Sequence, residues 1–187
     1  MGAAPSVMVL PTATLPGFGC NFEGDVPIAR VVDIIARAEV LLVQAGSSLR
    51  QLALADTMGW ATPDRIRRMI GVVRERWPNL AIKLHLHDTR GTAMANALAA
   101  LEMGVREFDG SIGGLGGCPF AGHKGAAGNI CTEDLAYMCE EMGIETGVDL
   151  DALIEVGRMA EEIVGHVLPS ELIHAGSLGA FRRVAAE

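Results

Sequence analysis

A chain of 187 residues with half of them hydrophobic and only 4% aromatic is long enough for one real core, and it suits an Ala/Val/Leu/Ile-rich α/β protein better than a β-sandwich. Its formal net charge of −8 argues against nucleic acid as the main partner, since phosphate binding needs a basic surface, but leaves a small substrate open, because one local cation can dominate a pocket. Cys20, Cys118, Cys131 and Cys139 show no C-x-x-C spacing, no signal-like segment is present and no apolar run nears the ~18 residues of a membrane helix, so the expectation is a soluble chain in a reducing, cytoplasmic setting.

In chain order, Ser6 to Ala13 reads as a buried strand, and Pro16, Gly17, Gly19 and Gly24 mark a loop. Apolar residues then recur at helical spacing from Val26 to about Ala45, with Pro27 in the first turn, where proline is tolerated. Leu49 to Asp56 supplies a second strand, closed by Asp56-Thr57-Met58-Gly59. Thr62-Pro63-Asp64 starts a helix with a capping residue followed by proline at the first helical position, and Ile66, Met69, Ile70 and Val73 form its buried stripe.

Ala81 to Asp88 is a third strand, Thr92 to Met103 a third helix, and Gly104 its C-terminal cap. Val105 to Ile112 makes a fourth strand, which runs into a glycine-rich segment, Gly113 to Phe120. Thr132-Glu133-Asp134 opens a helix through about Met142, and a last helix covers roughly Leu150 to Val164. Strand and helix thus alternate four times at about 30 to 40 residues per unit, which predicts an α/β fold of parallel strands with right-handed crossovers. Four such units make half of an eight-stranded barrel or a small open sheet.

The stretch Lys83-Leu-His-Leu-His-Asp-Thr-Arg-Gly91 carries the chemistry. In a strand, successive side chains alternate between faces, so His85 and His87 share one face with Cα atoms roughly 6.6 Å apart, and two neutral imidazoles so placed can hold one metal ion. The alternative for a bare H-x-H is one core histidine and one on a rim. A polar pair at the C-terminal end of a strand, just before a helix, is where α/β barrels place their chemistry. Lys83 shares the inward face; open to one side it reaches water, and enclosed it needs a carboxylate partner.

Three segments together resemble the 3-hydroxy-3-methylglutaryl-CoA lyases, metal-dependent lyases built on TIM barrels: the His85/His87 strand, the loop Gly113-Gly-Leu-Gly-Gly-Cys-Pro-Phe120, and Gly128-Asn-Ile-Cys-Thr-Glu-Asp-Leu135. H-x-H is common to a wider group, whereas the Gly-Leu-Gly-Gly-Cys-Pro loop is more particular to these lyases. The likeness begins near Phe18 to Gly24, where the family usually carries proline in place of Asn21, and ends near Leu168. It corresponds to the second half of the family's barrel, strands five to eight. The Asp-Gly-Leu-Arg-type motif of the first strand, which supplies an aspartate ligand and an arginine in the family, has no counterpart here, nor does a second-strand glutamate.

The resemblance implies cleavage of 3-hydroxy-3-methylglutaryl-CoA to acetyl-CoA and acetoacetate. It implies His85, His87 and Asn129 as ligands of Mg²⁺ or Mn²⁺, with tetrahedral zinc as the rival, and Cys118, Asp56 and His85 as catalytic residues. Gly116 and Gly117 would let the backbone fold over an acyl-CoA substrate, with Asp88, Glu133 and Asp134 as supports behind the ligands. The residues alone leave other readings: Asn129 as a turn residue, Cys118 as an inert loop thiol, Asp56 as the cap of its own turn, and Glu133 and Asp134 as ordinary first-turn acids. His123, Cys20, Cys131 and Cys139 read as structural. A half-barrel exposes the inward faces of four strands and two unpaired edges, so its expected partner is a second copy or a complementary N-terminal half-barrel chain. A catalytically silent half-barrel and a related 2-oxo-acid aldolase or synthase are the alternatives in function.

Overall fold

The computed structural model describes residues 12–117 and 128–184. Its sheet is organised by two central strands: β4 (Gln51–Asp56), buried on both faces from Leu52 onward with Leu52 and Leu54 in the main core, and β5 (Ala81–Leu86), whose Ile82, Leu84 and Leu86 enter that core and alternate with more exposed residues. With β1 (Thr12–Pro16) and β6 (Glu107–Asp109) they form a four-stranded parallel sheet in the order β1-β4-β5-β6. A small antiparallel ribbon of β2 (Gly19–Cys20) and β3 (Gly24–Asp25) follows the first strand.

Helices cover the apolar face. α1 (Ile28–Gln44) contributes Val31 and Ile35, α2 (Pro63–Arg76) contributes Ile66, Met69, Ile70 and Val73, and α3 (Ala93–Glu102) contributes Ala93, Ala97 and Ala100. The small residues of α3 let it approach α2 and the sheet closely. Thr62 caps α2 as its sequence predicts, accepting from the Arg65 amide at 3.4 Å. A second, smaller core of Ala136, Leu150, Ile154 and Leu172 joins α4 (Thr132–Glu141), α5 (Leu150–Val164) and α6 (Glu171–Ala175), and α7 (Leu178–Val184) ends the described chain. Among the described residues no helix is long and apolar enough to cross a membrane.

The parallel α/β architecture agrees with the sequence, but two strands differ in extent and two short helices are additional. The first strand is Thr12–Pro16, overlapping the expected one only at Thr12 and Ala13; Ser6 to Pro11 lie outside the described residues. The fourth strand is Glu107–Asp109 alone; beyond Gly110, where a Cβ would sit 2.8 Å from the Thr132 hydroxyl, Ser111 pairs with Cys131 instead, and the chain winds into a 3-10 turn at Ile112–Gly114. The short helices α6 and α7 were not foreseen; Ser170 and Asp134, not periodicity, start the first of them.

Gly113 and Gly114 have φ of +57° and +69°, a region costly for other residues. A Cβ on Gly113 would be driven into the Leu168 side chain, and one on Gly114 would lie 2.9 Å from the Cys131 sulfur. Gly113→Ala therefore combines backbone strain with overpacking and is expected to lower the unfolding free energy by about 2 kcal/mol or more. Urea denaturation followed by circular dichroism checks this; an unchanged midpoint contradicts it.

Candidate active site

The pleat of β5 sends Leu84 and Leu86 into the core, so Lys83 and His85 project from the opposite face of the sheet. His87, one residue beyond the strand, returns to that side: the Nε2 atoms of His85 and His87 face each other at 3.1 Å. His87 is buried, whereas His85 keeps about three tenths of its side chain exposed. Burial, and then the neighbouring His85, push the His87 imidazole below its ordinary pKa, which keeps it neutral at pH 7 with a lone pair to give.

Asn129 joins the pair through the backbone. The segment Gly128 to Thr132 is laid along the end of β5 by Ile130 N donating to Leu86 O and Asp88 N donating to Gly128 O, both at 2.9 Å. On its other side Ser111 N donates to Ile130 O and Thr132 N to Ser111 O. This seam sets His87 and Asn129 as antiparallel bridge partners. The Asn129 amide nitrogen donates to Leu115 O at 3.0 Å, which turns its oxygen away from that carbonyl, and this oxygen is buried with no hydrogen-bond partner. His87 Nδ1 is likewise buried without one. Among the described residues no group of three or more His, Cys, Asp or Glu side chains is arranged to hold a metal ion. The donor set is two imidazoles and one amide oxygen, with no carboxylate among them, and its orphaned amide oxygen and facing nitrogens fit a small cation.

Two carboxylates near these loops are occupied by backbone. Asp56 is buried, and its oxygens accept from Trp60 N at 2.6 Å and Ala61 N at 3.0 Å; burial raises its pKa while those two amides lower it. Asp88 accepts from Ala93 N at 2.7 Å, which fastens the loop after His87 to the start of α3. Arg90 spans the same two loops, donating to Met58 O and Gly59 O at 2.6 and 3.1 Å.

The family model described as HMGL-like matches residues 12–160. The chain belongs to the HMGL-like family. It is 46% identical over 153 residues to hydroxymethylglutaryl-CoA lyase YngG of Bacillus subtilis, an alignment covering 82% of this chain and 48% of that one. It is 41% identical over 159 residues to (R)-citramalyl-CoA lyase of Chloroflexus aurantiacus, covering 85% and 48%. The solved HMG-CoA lyase of Acinetobacter baumannii in complex with coenzyme A and 3-methylmalate superposes with a TM-score of 0.76 at 43% identity, covering 89% of this chain and 52% of that one. The chain thus spans about half the length of the relatives it matches, and its parallel sheet is part of their TIM barrel.

The remaining predicted residues of this HMGL-like chain divide between anchors and glycines. Glu133 is fully buried at the start of α4 and accepts from Gly113 N at 2.6 Å, which ties the helix to the glycine turn. Asp134 accepts from Ser170 Oγ at 2.8 Å and Leu172 N at 2.9 Å and so starts α6. Gly116 packs on the Asn129 amide, where a Cβ would be 3.0 Å from Nδ2, and a Cβ on Gly128 would overlap the carbonyl group of Gly116. Gly117 is exposed, and Cys118 and His123 lie outside the described residues. One residue of this face escaped the sequence reading: Asp109, whose carboxylate stands 3.0 Å from Lys83 Nζ and 3.5 Å from His85 Nδ1. The alternation Glu107, Phe108, Asp109 was its only signal, and it means nothing until β6 is known to pair with β5.

Burial holds the Glu133 carboxyl above its ordinary value of 4.5, although its bond from Gly113 N pulls the other way. A carboxyl raised in the folded state stabilises fully below the unfolded pKa, and that contribution is lost as pH climbs through the folded one. Glu133→Gln keeps an oxygen for Gly113 and has no proton to lose. Its melting temperature relative to the unsubstituted chain is therefore expected to rise as pH climbs above the ordinary value of 4.5; thermal melts at fixed ionic strength check the slope, and a flat or falling difference contradicts it.

Proposed function

We propose that this HMGL-like chain carries the metal-holding part of a carbon–carbon lyase that cleaves 3-hydroxy-3-methylglutaryl-CoA to acetyl-CoA and acetoacetate. The observation that carries the reading is the pair of imidazole nitrogens 3.1 Å apart beside an amide oxygen with no protein partner. Its support is a family match and 46% identity to a protein named as that lyase. His85, His87 and Asn129 would hold Mg²⁺ or Mn²⁺, zinc being less suited to a set with amide oxygen and open positions. Such an ion, when bound, polarises the substrate oxygens and lowers the pKa of a hydroxyl.

In the reaction a base takes the proton of the tertiary hydroxyl, the C–C bond breaks as the C=O of acetoacetate forms, and its electron pair goes to the acetyl-CoA enolate, which is then protonated. Cys118 is assigned to proton transfer, with the flanking Gly116 and Gly117 letting the backbone close on the acyl-CoA. Asp56, buried with both oxygens on backbone amides at the end of β4, is assigned to acid–base work. Acetyl-CoA release with added Mn²⁺ or Mg²⁺ tests the reading, and citramalyl-CoA is assayed in parallel because a relative of 41% identity carries that substrate in its name. Two imidazoles and an amide leave the ion without an anionic ligand, so turnover by the purified chain alone is expected at least about 10²-fold below a full-length relative. Mixing with the separately expressed amino-terminal half of a relative is expected to restore metal-dependent release where the two co-elute. No release from any co-eluting pair would leave the silent half-barrel as the function.

His87→Ala is expected to weaken Mn²⁺ binding at least about tenfold with the fold kept, since one of three ligands goes while the core stays intact. Calorimetry with circular dichroism decides it; unchanged affinity removes the ligand assignment. β1 and β6 form the two edges of the sheet, and strand edges recruit other chains. Light scattering is therefore expected to give a mass above 19.7 kDa at micromolar concentration, and a monodisperse monomer contradicts this. The free thiols of Cys20, Cys131 and Cys139 support a reducing, cytoplasmic setting.

A further inference from the structure

The face that carries the histidines also carries a charge pair that the lyase reading does not use. Parallel pairing sets His85 opposite Asp109 and Lys83 opposite Glu107, so four polar side chains line two adjacent strands. Lys83 Nζ lies 3.0 Å from one oxygen of Asp109, and His85 Nδ1 lies 3.5 Å from the other. From there the imidazole continues to Nε2, which faces His87 at 3.1 Å. The four groups form a line: ammonium, carboxylate, first imidazole, second imidazole.

We propose that Asp109, tethered by Lys83, is a positioning residue for this site: its free oxygen accepts the Nδ1 proton of His85 and so keeps the lone pair on Nε2, facing His87. The inference rests on His85 being a ligand and deepens that reading. Which ring nitrogen of a histidine carries the proton is set by the partner of the other, and a carboxylate behind an imidazole fixes both tautomer and ring orientation. The lysine has a separate task. It occupies one oxygen of Asp109, leaving the other for His85, and its charge balances a carboxylate that would otherwise stand unpaired on the inward face.

The two tasks are separable. Asp109→Ala removes the acceptor and also leaves the ammonium unpaired on the face meant for a cation, whereas Lys83→Met/Asp109→Ala removes both charges and leaves only the loss of the acceptor. Nitrogen-15 spectra of the imidazoles in the metal-free chain, at a pH where the rings are neutral, read the tautomer directly. His85 is expected to be Nδ1-protonated in the unsubstituted chain and to lose that preference in both variants. Mn²⁺ affinity by calorimetry is expected to fall about 10- to 100-fold in Asp109→Ala and to recover only in part in the double variant.

An Nε2-protonated His85 in the unsubstituted chain overturns the proposal without recourse to any variant, which covers a variant that fails to fold. So does a tautomer unchanged by Asp109→Ala, or an affinity fully recovered in the double variant, which would reduce Asp109 to a neutraliser of Lys83. The His87→Ala control keeps the two levels apart: unchanged Mn²⁺ affinity there removes the metal reading, while the tautomer of His85 still decides whether Asp109 orients it.

Discussion

The two-residue pleat of β5 is the constraint on which the site depends. Ile82, Leu84 and Leu86 are buried against α2 and α3, and each such side chain stabilises the fold by roughly 1.5–3 kcal/mol. A slip of one residue would turn all three outward and bring Lys83 and His85 into the core. That penalty exceeds any single hydrogen bond on the polar face, so the apolar side sets the register and the polar side inherits it. The histidine pair, and the contact of His85 with Asp109 across β6, follow from packing on the other side of the sheet.

A second constraint acts at the strand ends, where acidic residues serve as fasteners. Asp56 binds the turn after β4, Asp88 the start of α3, Glu133 the glycine turn and Asp134 the start of α6. Each satisfies backbone amides that would otherwise be left open at a turn or helix start, which costs about 1–3 kcal/mol per buried group. The acidic composition of the chain is thus partly a feature of its loop architecture. It does not translate into an acidic donor set, since none of the donors facing the candidate cation site is a carboxylate.

The sequence carried the elements well where a long apolar period existed. The helix at Leu150–Val164 matches its expected bounds, and the Thr62-Pro63 start of α2 was plain from capping chemistry. It carried His85 and His87 as a pair because alternation along one strand is a local property. It did not carry Asp109, because a contact between strands depends on register, which the packed sheet sets and no spacing prints. Lys83 posed a question that only this register answers, and it has both a carboxylate partner and partial exposure. Asp56 was readable as either cap or acid; the cap is there, in the amides of Trp60 and Ala61 that its oxygens accept, and a cap does not exclude the acid.

The close approach of Gly116 to Gly128 works as a clasp. The chain leaves the site at one glycine and returns at the other, and neither position leaves room for a Cβ without moving its neighbour. Asn129 is therefore held opposite His87 by backbone packing at both glycines and not by its own side chain alone. An architecture of this kind fixes one side chain by backbone contact on both sides of it, so a substitution at either glycine reaches Asn129 before it reaches the core.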